Sequence, residues 1–152
     1  MNRLKRKWYT WVHSRKFAKL GKDCNYPIET LTIEGHVEQR DHGSFRNNAT
    51  MRALGNGKII WGLRAGASWG VTFVANELIE VDEYTAIAEY SFVTDTTYDF
   101  AGNADSYRSA KMVTKPVRIG KNVFIGSRWM RPLVRLLSFL TLPLAPKVVS
   151  AF

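Results

Sequence analysis

Cysteine is almost absent from this sequence, and its scarcity excludes several classes of small protein. Cys24 is the only cysteine in the 152-residue chain. A disulfide framework and a CxxC metal site each need more than one thiol, so neither is available. We therefore expect one domain without metal, stabilised by its own apolar core, in a reducing cytoplasmic compartment.

Acidic residues are absent from both ends of the chain, where the basic residues are concentrated. Residues 1–22 contain eight Lys or Arg, residues 128–152 contain four, and neither segment contains Asp or Glu. Residues 23–127 contain ten basic against thirteen acidic side chains, so the formal net charge of +9 comes from the ends. Domains that bind nucleic acid cluster basic residues on their folded face, and no helix-turn-helix, zinc-finger or RNP motif occurs. We expect no nucleic-acid partner.

Long apolar runs are also lacking. The longest uncharged apolar run, Leu136 to Pro146, is shorter than the roughly 20 residues that span a bilayer. The first twenty residues carry charges throughout and lack the apolar stretch of a secretory signal. We therefore expect neither a membrane-spanning segment nor a cleaved leader.

Residues 1–20 have the periodicity of a basic amphipathic helix. Leu4, Trp8, Trp11 and Val12 fall at helical spacing, and basic side chains surround them. Two interpretations are open. In the one we favour, the helix caps the core and packs both tryptophans on it. In the other, the segment makes a weak contact with anionic lipid headgroups, for which basic residues and interfacial tryptophans are suited.

Beyond this segment the sequence is β-rich, and its apolar residues recur with a period of six. Val81, Ile87 and Val93 are spaced in this way, and the small residues Thr85 and Ser91 occupy the fourth position after the first two. Such a hexad forms one wall of a three-sided coil, with the aliphatic side chain inside and Gly or Asn allowing the turn at the corner. Stacked coils bury a continuous core. The period therefore predicts an all-β solenoid.

One string continues this period and resembles a known family. Residues 115–126 read KPVRIGKNVFIG, with a glycine directly after Ile119 and after Ile125. With the hexads that begin at Ile79, this string resembles the hexapeptide-repeat acetyltransferases of the colanic-acid, maltose and xenobiotic groups, in which a proline leads into an IGxxVWIG coil. The resemblance implies a left-handed parallel β-helix over residues 21–127, and it is stronger after Ile79 than before it.

The period is interrupted once within this domain. Val93 and Ile119 are 26 positions apart, which is not a multiple of six. We therefore predict that residues 95–115 leave the coil as a loop excursion. Members of the family extrude a loop here, and the resemblance implies that this loop carries the chemistry on the acceptor side.

Histidine is missing where the family has its general base. Acyl transfer to an alcohol needs a group that takes the hydroxyl proton, and the family supplies a histidine from a run such as ITDHDHDF. The corresponding run, residues 93–100, is VTDTTYDF. The resemblance puts Tyr98 at the base position, with Asp95 nearby, but a phenol is a poor base at neutral pH. The histidines of the chain are His13, His36 and His42.

Three readings of this departure are open. The base comes from elsewhere in the chain, or Tyr98 and Asp95 serve only to bind the acceptor, or the chain is catalytically impaired. We favour the last two together.

The resemblance implies acetyl-CoA as the donor, in a groove between adjacent subunits of a homotrimer. Backbone amides would contact the pantetheine arm, and basic side chains would meet the phosphates. The implied residues are Gly126, Ser127 and Arg128 for the arm and Lys115, Arg118 and Lys121 for the phosphates.

The repeat is expected to stop after Ser127, because Trp129 stands where the period requires a small side chain. Residues 128–152 contain no Ile-Gly pair. This atypical tail is either an irregular or helical C-terminal cap, or the product of a disrupted reading frame. In both cases the family's completion of the CoA groove is missing.

Together these features predict a CoA-dependent O-acetyltransferase that acts on a sugar or glycoconjugate hydroxyl and is impaired by the missing histidine. The alternative is a noncatalytic β-helix scaffold or a truncated acyltransferase remnant. We expect the protein in the cytoplasm, or at the inner face of the membrane if residues 1–20 bind lipid.

Overall fold

The structure is a computed structural model, and it describes residues 8, 11, 12, 14–26, 30–99, 108, 110–127 and the strand Lys147–Val149. Almost all of the regular structure in these residues is β-strand. In chain order the strands are β1 Lys19–Leu20, β2 Thr32–Glu34, β3 His36–Gln39, β4 Ser44–Phe45, β5 Thr50–Ala53, β6 Lys58–Trp61, β7 Gly66–Ala67, β8 Thr72–Ala75, β9 Leu78–Val81, β10 Ala86–Ile87, β11 Phe92–Thr94, β12 Thr96–Tyr98, β13 Met112–Thr114, β14 Val117–Ile119, β15 Val123–Ile125 and β16 Lys147–Val149.

Three parallel sheets form the walls of a β-solenoid. The first wall has the order β1-β3-β6-β9-β14, the second β16-β15-β10-β7-β4, and the third β11-β8-β5-β2. Val81, Ile87 and Val93 lie on β9, β10 and β11, and therefore on three successive walls. The solenoid predicted from the six-residue period is confirmed, and the left-handed sense of its winding stays a prediction.

The period holds at two corners of the coil and fails at the third. Along β6, β7 and β8 the inward-facing residues Trp61, Ala67 and Phe73 are six positions apart. Between the third wall and the next first wall the spacing is longer: Met51 precedes Trp61 by ten positions and Phe73 precedes Val81 by eight. Because the extra residues all fall at this third corner, the other two corners keep their phase.

Stacked residues with positive φ turn the corner between the first and second walls. They are Asp23, His42, Arg64, Tyr84 and Asn122. Backbone hydrogen bonds tie each turn after the first to the preceding coil, as from Tyr84 N–H to Leu63 O (2.9 Å) and from Asn122 N–H to Glu83 O (2.9 Å). The expectation of Gly or Asn at these turns holds only for Asn122. Asp23 and His42 are residue types that adopt this conformation more often than most, whereas Arg64 and Tyr84 rarely adopt it and are held by the stacked hydrogen bonds.

A column of aromatic side chains fills the first three coils. The centroid distances between successive rings of Phe17, Tyr26, Phe45, Trp61 and Phe73 are 5.1, 5.3, 4.8 and 4.8 Å. All five side chains are buried, and Trp61 and Phe73 have no exposed surface. Offset and tilted ring pairs at these distances add to the free energy gained from burial.

The start of the chain differs from the interpretation that we favoured. Trp8, Trp11, Val12 and Ser14 are helical, but Trp8 is 57% exposed and Trp11 is 56% exposed. The two tryptophans therefore do not pack on the core as a cap. Phe17 takes that place, because its ring stacks on Tyr26 at the open end of the first coil.

The tail also contains an element that the sequence analysis did not anticipate. β16, Lys147–Val149, pairs in parallel with β15 and extends the second wall. The prediction of an irregular or helical tail is therefore wrong for these three residues, where two successive valines favour a strand. Trp129 lies outside the described residues. Among the described residues, no helix is long and apolar enough to cross a bilayer.

Candidate functional site

An antiparallel hairpin projects from the third corner, between β11 and β14. Its strands β12 and β13 pair Thr96 with Thr114 and Tyr98 with Met112. The two threonine hydroxyls are hydrogen-bonded at 3.0 Å. Of residues 99–111, which join the two strands, the structure describes 99, 108, 110 and 111. The hairpin lies within residues 95–115, for which a loop excursion was predicted.

Asp95 anchors this hairpin to the preceding coil. Its carboxylate accepts hydrogen bonds from the backbone N–H groups of Asn76 (2.9 and 3.0 Å), Glu77 (2.7 Å) and Leu78 (2.9 Å). The Thr96 hydroxyl donates a further bond at 3.0 Å. On the other side of the hairpin, Lys115 N–H donates to the Asp95 carbonyl oxygen at 2.9 Å. Asp95 therefore joins both strands of the hairpin to the loop between β8 and β9.

The electrostatics of Asp95 fit this anchoring role. Burial acts to raise the pKa of its carboxyl group, but the hydrogen bonds from Asn76, Glu77, Thr96 and Leu78 outweigh burial and lower the pKa below its ordinary value. A carboxylate with a lowered pKa stays ionised and is a weak base. Both of its oxygens are engaged by these hydrogen bonds. Its part in acceptor binding stays a prediction.

Tyr98 lies near the end of β12 and is 41% exposed, opposite an exposed Met112. No histidine among the described residues lies on the hairpin or on β11. His42 is at the corner between the first two walls, and His36 is on β3 of the first wall. His13 lies outside the described residues. The role predicted for Tyr98 stays a prediction.

The pairing of His36 with Glu38 was not predicted from the sequence. His36 Nε2 lies 2.7 Å from Glu38 Oε1 on the outer face of the first wall. Alternation along a strand could have revealed this pair, because residues two apart in a strand point to the same side. Both side chains are partly exposed, and the pair is on a wall that does not carry the hairpin.

Two of the three cations predicted to meet phosphates are in ion pairs with the preceding coil. Arg118 pairs with Glu80, and Lys121 pairs with Glu83. The hydrogen bond and charge of Glu83 raise the pKa of Lys121 above its ordinary value. Lys115 is exposed, and its side chain forms no ion pair with the residues that the structure describes.

The residues predicted to bind the donor lie on different sides of the same coil. Lys115 is at the third corner, beside the hairpin, whereas Lys121 is at the corner between the first and second walls. Gly126 and Ser127 follow β15 at the far end of the second wall and are half-buried. Arg128 lies outside the described residues. The solenoid of a single subunit therefore does not bring these residues into one cluster.

Two grooves lie on the outer faces of the walls. The one on the second wall has a volume of about 300 Å³ and is lined by small or apolar groups, including Gly66, Ala86 and Phe124, with Arg46 and Glu89 also lining it. The one on the first wall has a volume of about 520 Å³ and carries several carboxylates. The second-wall groove lies beside β15, the strand that ends directly before Gly126. No cluster of potential metal ligands occurs among the described residues.

The fold and the site define a three-walled parallel β-solenoid with a hairpin insertion at one corner. No protein family and no curated protein matches the chain. Among solved structures, the chain is similar to the crystal structure of an aspartate-to-alanine mutant of AntD, an N-acyltransferase from Bacillus cereus, in complex with dTDP and coenzyme A. The identity is 18%, the TM-score is 0.46, and the match covers 77% of this chain and 64% of that chain. This chain therefore spans less than two thirds of the AntD chain.

Proposed function

We propose that this protein is a CoA-dependent O-acetyltransferase of a sugar or glycoconjugate hydroxyl, with catalysis impaired at the base position. The position of the hairpin carries the proposal. It leaves the solenoid directly before the coil formed by β14 and β15, which contains the KPVRIGKNVFIG string. In the resembling family an excursion before such a coil carries the acceptor chemistry.

The chemistry explains why impairment is part of the proposal. The acceptor oxygen attacks the thioester carbonyl, its proton passes to a base, and the thiolate of CoA leaves. On the hairpin, the Tyr98 hydroxyl can orient an acceptor by a hydrogen bond but is a poor proton acceptor at neutral pH. The Asp95 carboxylate is occupied by backbone N–H groups. Binding without fast transfer is the expected behaviour.

Binding of the donor is tested by calorimetric titration of the full chain with CoA and with acetyl-CoA. We expect both to bind. Lys115→Ala should raise the Kd about two- to fivefold, the usual effect of losing one exposed charge contact. Lys58→Ala removes an exposed lysine from β6 and serves as the matched control, with no change expected. Absence of binding at millimolar CoA would contradict the proposal.

The base position is tested by adding the histidine. Tyr98→His should increase acetyl transfer to a panel of sugars by about 10²-fold or more, the usual contribution of a positioned general base. Thr97→His is the control, since successive residues of a strand point to opposite sides. Equal activity of the two variants would show that position 98 does not face the acceptor.

A noncatalytic scaffold is the second candidate function. It is favoured by the ion pairs of Arg118 and Lys121, which occupy cations expected at the donor phosphates. If the protein binds CoA weakly or not at all and Tyr98→His transfers no acetyl group to any sugar, the scaffold replaces the enzyme as the better account.

A further inference from the structure

The helical start of the chain presents two large apolar side chains to solvent. Trp8 and Trp11 are three positions apart in a helical segment, so they share one face, and each is more than half exposed. The exposed part of each indole ring forgoes the free energy of burial. Their exposure is not a requirement of the core, because Phe17 already fills the open end of the first coil.

Basic side chains follow these tryptophans along the chain, and one of them lies over the Trp11 ring. Arg15, Lys16, Lys19 and Lys22 are all exposed, and the Arg15 guanidinium lies 4.5 Å from the centre of the Trp11 ring. Residues 1–22 contain no acidic residue, whereas residues 23–127 contain more acidic than basic residues. The basic charge is therefore a local property of this segment and does not extend over the solenoid.

We propose that residues 8–22 dock the protein on an anionic phospholipid surface, with Trp8 and Trp11 in the headgroup region. Indole rings are favoured at the boundary between headgroups and acyl chains, and each lysine or arginine near an anionic leaflet adds to the attraction. Together they provide the two signals, apolar and electrostatic, that reversible binding at a membrane surface uses. The docking surface is independent of the acetyltransferase proposal.

Co-sedimentation of the full chain with lipid vesicles tests this proposal. The protein should bind vesicles that contain phosphatidylserine, bind vesicles of pure phosphatidylcholine much more weakly, and be released by high salt. Tryptophan fluorescence should shift to shorter wavelength on binding, because the indoles leave water. Equal binding to both kinds of vesicle, or binding to neither, would overturn the proposal.

A pair of matched variants distinguishes binding through the docking surface from nonspecific binding by exposed tryptophans. The double variant Trp8→Ala/Trp11→Ala should lower the partition onto anionic vesicles by about tenfold or more. Trp69→Ala is the control, because Trp69 is also exposed (45%) and also lies under an arginine, with Arg46 5.4 Å from its ring centre. We expect the control to bind as the unmodified protein does.

Two results of this comparison would overturn the proposal. One is unchanged vesicle binding by the double variant, with its melting temperature preserved. The other is tryptophan-dependent binding of a single-stranded oligonucleotide while the unmodified protein does not bind vesicles. Exposed aromatic and basic residues also bind nucleic acid. Circular dichroism of each variant confirms that the solenoid is intact.

Discussion

A single carboxylate, Asp95, holds the hairpin against the coil that precedes it. Asp95→Asn keeps the shape of the side chain but replaces one acceptor oxygen by a donor that would face backbone N–H groups. We expect the free energy of unfolding to fall by about 2–3 kcal/mol, as for the loss of charge-assisted hydrogen bonds at a buried site. Urea unfolding measures this change.

Asp23→Asn is the matched control for that experiment. Asp23 is exposed and has a φ of 51°, a conformation that Asn adopts as readily as Asp. We expect its unfolding free energy to stay within about 0.5 kcal/mol of that of the unmodified protein. An equal loss in both variants would contradict the anchoring role of Asp95.

The lowered pKa of Asp95 also predicts how stability depends on pH. The folded-state pKa lies below the unfolded value of about 3.9. The stabilisation is therefore complete above the unfolded pKa and is lost as the pH falls through the folded pKa. Between neutral pH and about pH 2 the unmodified protein should lose more stability than Asp95→Asn. Parallel profiles of the two proteins in acid unfolding would contradict the assignment.

For Asp95, the sequence identified the residue as a candidate but did not reveal its structural role. The family resemblance drew attention to Asp95 and Tyr98 through the run 93–100. The backbone partners of the Asp95 carboxylate lie 17 to 19 positions earlier in the chain, in the loop before β9 and at the first residue of β9. No local pattern encodes that contact, because it depends on how one coil stacks on another.

Among the elements, the aromatic column is the feature with the clearest energetic consequence. Trp61 is fully buried between Phe45 and Phe73, and its Nε1 finds no hydrogen-bond partner among the described residues. Trp61→Ala should cost about 3–5 kcal/mol through lost burial and the resulting cavity. Trp61→Phe should cost clearly less, because it retains a ring and removes the unpaired N–H group.

Chemical denaturation distinguishes these two variants. Trp69→Ala is the control for loss of an indole at an exposed site, where we expect at most about 1 kcal/mol. If Trp61→Phe destabilised the protein as much as Trp61→Ala, the unpaired indole N–H would not be a cost. A buried partner for Nε1 would then be the explanation.

The predictability of the elements depended on where the insertions fall. The coil from Val81 to Val93 has no extra residue, so its period was readable. The two coils before it carry extra residues at the third corner, and these shift the phase between Met51 and Trp61 and again before Val81. β16 was missed because the segment between Ser127 and Lys147 separates it from the repeat that it joins.

For the whole molecule, the resemblance implies a homotrimer, which we keep as a proposal. Phe92, Tyr98 and Met112 are exposed by 61%, 41% and 65%, on the hairpin and the strand before it. Exposed apolar groups on neighbouring elements are typical of contact surfaces. We expect sedimentation equilibrium to give three times the chain mass of 17.3 kDa. Met112→Glu should shift the species toward the monomer.

A persistent monomer at every concentration would remove the proposed intersubunit groove. The residues predicted to bind the acyl donor would then lie on separate sides of one solenoid. Lys58→Glu, which places the same acidic side chain on β6 of the first wall, is the control and should leave the mass unchanged.

Hydrogen–deuterium exchange in the presence and absence of CoA tests the account most directly. If the coil formed by β14 and β15 holds the donor, CoA should slow exchange in residues 110–127 and leave the early coils, residues 31–75, unchanged. The contrary result is saturating CoA with no added protection in residues 110–127, or with protection confined to the early coils.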